Sequence, residues 1–104
     1  DMSKSIRDLR PKALRNAAAL IKCIGHPLRL RILEALEDGE QTVSAVQERT
    51  GAEQPAVSRH LSLLRAHGVV DFRRDGANVY YWISEPRARM ILETVRQEAE
   101  ELEA

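Results

Sequence analysis

The 104-residue chain balances 16 Lys and Arg against 16 Asp and Glu, with 43% hydrophobic residues and a single cysteine. This length reads as one domain over residues 1–104 that buries only about 60–68% of its unfolded surface, so a second copy would supply missing core. No run of apolar residues is long enough for a membrane span, no signal peptide is read, and one cysteine excludes an intrachain disulfide framework and fits a cytoplasmic protein.

The charge is uneven along the chain. Residues 1–31 carry eight basic and two acidic side chains, 32–53 carry one and six, 54–83 carry four and two, and 84–104 carry three and six. A surface that meets nucleic acid needs local rather than total positive charge, and an acidic remainder limits non-specific adhesion.

Pro11 to Ile24 is predicted as a first helix, because Ala13, Ala17, Leu20, Ile21 and Ile24 recur at three- and four-residue spacing. Gly25-His26-Pro27 interrupts it; Gly suits the position past a helix end and Pro27 the first turn of the next helix. Leu28 to Glu37 is the second helix, with Ile32, Leu33 and Leu36 inward, and Asp38-Gly39 ends it. Thr42 can cap a short third helix, roughly Val43 to Arg49. After the turn Thr50-Gly51-Ala52-Glu53, Gln54 opens a fourth helix that runs toward Gly68, with Pro55 in its first turn. Val69 to Ile83 then alternates as a β-hairpin about Asp75-Gly76. All four aromatics, Phe72, Tyr80, Tyr81 and Trp82, lie in this hairpin and are expected to anchor it to the helices. A last helix, Arg87 to about Leu102, follows Pro86 with Ala88, Ile91, Leu92, Val95, Ala99 and Leu102 as its apolar stripe.

The expected fold is therefore mainly α with a small β-hairpin, in the order α-α-α-α-β-β-α: a winged helix-turn-helix with a helix added at each end. The terminal helices need an apolar partner. They can pack on their own domain, or on a second copy through Ala17, Ile21, Ile91, Val95 and Ala99, which would give a homodimer. If Val57, Leu61 and Leu64 of the fourth helix face the core, Gln54, Ala56, Ser58, Arg59 and Ser62 lie on or near its outer face, with His60 bordering the buried side. Such a face suits the edges of double-stranded DNA: Gln54 can pair with adenine, and Ser58 or Arg59 can reach bases or phosphates. Arg73 and Arg74 alternate along a strand, so only one at a time points toward DNA.

The stretches GHPLRLRILEAL from Gly25, TVSAV from Thr42, QPAVSRHLSLLRAHGVV from Gln54 and RRDGANVYYWI from Arg73 resemble the arsenic-repressor (ArsR/SmtB-type) family of regulators, in that family's order and spacing. The resemblance implies a homodimeric DNA-binding regulator, usually a repressor released by a metal ion, a metalloid or an oxidant. It places His60 in the reading helix, with a packed, backbone-bonded histidine as the alternative, and leaves the effector open. The family often has Ser or Thr at the positions of Glu53 and Ala56 and a basic residue at that of Ala77. These departures leave room for a second reading, a protein-interaction module on the same scaffold that does not read DNA.

The family's known metal sites lie on the third and last helices. Here these read QTVSAVQER, without cysteine or histidine, and SEPRARMILETVRQEAEE, with carboxylates but no histidine. Transition metals need nitrogen or sulfur ligands in defined number, so no metal and no cofactor are expected. Cys23 is either a buried small hydrophobe or a thiol that could meet its counterpart across a dimer or be modified. No nucleophile–base–orienter set and no phosphate-binding glycine loop is present, so an enzyme is not expected.

Overall fold

The computed structural model describes residues 10–103; the reading of residues 1–104 as one domain extends at each end to residues outside that range. Five helices and three strands follow in chain order: α1 (Pro11–Ile24), α2 (Pro27–Ala35), β1 (Gln41–Thr42), α3 (Val43–Thr50), α4 (Gln54–Ala66), β2 (Val70–Asp75), β3 (Asn78–Ile83) and α5 (Arg87–Glu103). The strand β1 was not expected. It pairs antiparallel with β3, Gln41 opposite Tyr81 and Thr42 opposite Tyr80, so the sheet order is β1-β3-β2. A two-residue strand carries no alternation from which it could be read. Helix α2 ends at Ala35, two residues before the expected Glu37; the Leu36 N–H bonds back to the carbonyls of Ile32 and Leu33, and residues 36–38 form a turn.

The local signals are mostly obeyed. The Thr42 hydroxyl accepts from the Ala45 N–H at 3.2 Å and caps α3. Gly51 ends α3 with φ 71°, a left-handed conformation that lets the chain reverse into α4 and that other side chains resist. Gly25 behaves differently from the expectation. Its φ is −72°, which any residue adopts, but a Cβ there would stand 3.0 Å from the Ile21 carbonyl oxygen. The glycine permits this close approach between α1 and the turn rather than a left-handed cap.

The core lies where α2, α3 and α4 meet the sheet. Ile32, Leu33, Leu36, Val46, Val57, Leu61, Leu64 and Val69 are all at 0% exposure, joined by Ile24, Val70, Ala88 and Leu92. The hairpin register pairs Val70 with Ile83, Phe72 with Tyr81 and Arg74 with Val79 on one face, and Asp71 with Trp82 and Arg73 with Tyr80 on the other. The aromatics therefore do not act as one anchor. Tyr81 and Ile83 pack on the core with Val70, whereas Tyr80 and Trp82 occupy the opposite face. Helix α5 is tied down at its start: Arg89 donates to the Glu37 carbonyl at 2.7 Å, and Arg96 pairs with the Glu37 and Glu93 carboxylates.

Candidate nucleic-acid interface

Helix α4 owes its orientation to a complete apolar face. With Val57, Leu61 and Leu64 at 0% exposure, the opposite face is forced outward. Gln54, Arg59 and Ser62 are exposed there, while Ala56 and Ser58 are half-buried at its margin. The Gln54 amide donates to the Ser58 hydroxyl at 3.0 Å, one turn apart, so both present their hydrogen-bonding atoms from one patch. The Glu53 side chain does not cap the start of α4, although its carbonyl accepts from the Val57 N–H. Pro55 has no N–H, so Gln54 and Ala56 carry the backbone donors that this missing cap leaves for an outside acceptor.

His60 follows the packed alternative. It is 8% exposed, and its ring lies 4.7 Å from that of His26, which uses Nδ1 to cap α2 by accepting from the Leu28 N–H at 3.1 Å. His60 Nδ1 has no partner. Burial holds its pKa below the ordinary imidazole value, and the nearby His26, Arg29 and Arg59 push the same way. It is thus a packed histidine on the buried side of α4, its neutral form favoured.

The two wing arginines have different partners. Arg73 grips the Glu40 carboxylate through Nε and Nη2 at 2.9–3.2 Å, stands 3.7 Å from Asp75, and lies over the Tyr80 ring. The fork lowers the Glu40 pKa and raises that of Arg73. Arg74, on the other face, has no carboxylate partner among the described residues. Alternation sets the two arginines on opposite faces of the hairpin, and the clasp holds Arg73 to Glu40. Sequence reasoning missed Arg65, which lies over the Phe72 ring at 4.1 Å. Its signal was spacing, since Arg65 follows Ser58 by seven residues and Ser62 by three, on the same helix face.

The terminal helices carry the other expected contacts. Ala17, Ile21 and Ile91 come together with Leu20 and Met90 along one apolar groove between α1 and α5. Val95 and Ala99 instead line a second groove, against Leu30 and Arg31 of α2. Cys23 is 4% exposed within the core, the arrangement of a buried small hydrophobe. Among the described residues no three His, Cys, Asp or Glu side chains converge, and no helix is long and apolar enough to cross a membrane.

Comparison with known proteins adds to this geometry. A family model described as a helix-turn-helix domain matches residues 24–71. The biofilm growth-associated repressor of Xylella fastidiosa is 31% identical over 86 residues, spanning 83% of this chain and 75% of that protein. The crystal structure of the AntR antimony-specific transcriptional repressor superposes with a TM-score of 0.85 at 30% identity, covering 93% of this chain and 89% of that one. HlyU from Vibrio cholerae superposes with a TM-score of 0.77 at 31% identity, covering 85% and 96%.

Proposed function

The chain belongs to the ArsR/SmtB-type family of winged helix-turn-helix transcriptional regulators, and from this we propose that it represses transcription by binding a palindromic operator as a homodimer, with α4 in the major groove and the wing on the backbone. The observation that carries the reading is the outer face of α4. Behind it the core is complete, and on it Gln54, Arg59 and Ser62 are exposed, with Ser58 half-buried at the margin. Short hydrogen-bonding side chains and one arginine on an unobstructed helix suit base edges flanked by phosphates. The uncapped start of α4 supports the same docking, because a phosphate can take the place of the missing cap.

Dimerisation is supported by the apolar groove between α1 and α5, where Ile21 is 62% and Met90 71% exposed. Two copies joined there would present two α4 helices to half-sites about one helical turn, roughly 34–36 Å, apart. The test is selection of bound fragments from random-sequence duplexes, followed by isotherms with Gln54→Ala and Ser58→Ala. We expect a palindrome, and each variant should lose preference for it over scrambled DNA by about 1–3 kcal/mol. Equal loss on both duplexes would remove α4 as the reader. A wild type that enriches no sequence and binds no duplex would leave the protein-interaction reading, which the acidic Glu53 at the start of α4 favours.

A further inference from the structure

Beside the reading face lies a groove between the C-terminal half of α4 and strand β2, lined by Ser62, Arg65, Phe72, Arg74, Tyr81 and Ser84 among others. We propose that this groove seats one phosphate of the DNA backbone, held by the Arg65 and Arg74 guanidinium groups above the Phe72 ring. The inference rests on the DNA-binding reading and adds to it a contact that fixes how far the wing and helix straddle the backbone.

Three observations converge. Ser62 belongs both to the exposed face of α4 and to the lining of the groove, so the two surfaces are continuous. Both guanidiniums are drawn to one ring: Arg65 stands 4.1 Å and Arg74 5.8 Å from the Phe72 centroid. Stacking on an aromatic face orders a long side chain before a ligand arrives, which lowers the entropy lost on binding, and the planar fork of arginine matches a phosphate. Finally, the negative group already present is loosely held. Asp71 lies 3.8 Å from Arg65, with both side chains about half exposed, and its Oδ1 accepts from the Phe72 N–H at 2.8 Å. An exposed pair at that distance is weak, and the bond to the strand keeps the carboxylate from following Arg65 when it turns. Asp71 thus occupies the anion's side of the groove until a phosphate displaces it. Arg73 shows the contrast: its bidentate clasp on Glu40 takes up its donors.

The test compares wild type, Arg65→Gln, Asp71→Asn and the double variant on a scrambled duplex and on the selected palindrome, by fluorescence anisotropy across a salt series. Unfolding curves confirm that each variant folds. Arg65→Gln should weaken both duplexes by the same factor, about tenfold at low salt, and reduce the salt slope by roughly one unit. Asp71→Asn should strengthen binding in the wild-type background and have no effect when Arg65 is already Gln. Arg65→Lys should keep the slope yet lose affinity, because the charge remains and the stacked fork does not. An unchanged slope in Arg65→Gln, with the wild type still selecting a palindrome, would overturn the seat and leave the reading helix in place. Equal gains from Asp71→Asn in both backgrounds would overturn it too, as a general charge effect. A wild type that binds neither duplex removes the seat along with the DNA-binding reading.

Discussion

Val57, Leu61 and Leu64 on α4 are fully buried, whereas Ile21 on α1 is 62% exposed and Met90 and Leu102 on α5 are 71% and 80% exposed. Both regions are amphipathic helices with apolar residues at helical spacing. The middle of the chain satisfies its pattern internally, because α2, α3, α4 and the sheet surround one core. The ends are satisfied only in part: α5 buries Ala88 and Leu92, half-buries Ile91 and leaves Val95, Ala99 and Leu102 exposed. The difference separates two jobs. A closed core makes the reading unit rigid enough to hold donors in register, while open apolar ends hold free energy for association, about 1.5–3 kcal/mol for each large side chain that a partner covers.

The largest test of this division is Leu61→Ala. At 0% exposure inside the closed core, it should cost about 2–5 kcal/mol in denaturant unfolding and carry DNA binding down with it. A loss no larger than that of a surface substitution would mean the middle is not closed. Next is Ile21→Asp, which places a charge on the open apolar groove. We expect sedimentation to show a monomer that unfolds at nearly the wild-type denaturant concentration after allowance for linkage to dimerisation, with operator affinity falling as the second half-site contact is lost. A stable dimer after this change would move the association surface elsewhere.

A smaller effect sharpens the same distinction within the wing. Arg74→Ala should flatten the salt slope by about one unit, and Arg73→Ala should change it less, since Arg73 already serves Glu40. Identical slopes for the two variants would show that the clasp opens on DNA. The smallest effect is the pH dependence of the closed core. His60 is held neutral with its folded pKa below the ordinary value, so its contribution to stability is complete above about pH 6.5 and is lost as the pH falls through the lower folded value. His60→Gln should reduce that acid-side slope in unfolding experiments; an unchanged slope would assign the pH dependence to another group.

Much of this architecture was legible because its punctuation is local. Pro27, Thr42, Gly51 and Pro55 mark starts and stops through their own backbone and side-chain chemistry. Contacts across the fold were not legible. The Arg73–Glu40 clasp joins residues 33 apart and depends on β1 lying beside β3, which no pattern in Gln41-Thr42 announces. His60 was only half legible. It follows Val57 by three and precedes Leu64 by four, so spacing set it at the border of the buried stripe and left the DNA-reading and packed alternatives both open. The deciding partner, His26, lies in another turn of the chain. Arg65 was readable from spacing alone, yet its meaning depends on Phe72 being brought beneath it.

The strand order has one further consequence. With β3 paired on both sides, β2 is left at the rim of the sheet, where its outward backbone groups could recruit a strand from another molecule. Four of its six residues, Asp71, Arg73, Arg74 and Asp75, are charged, and both signs are present. Lateral stacking of such rims would strip the water from these charged side chains, so the charges of the wing also guard it against fibril-like self-assembly at high concentration.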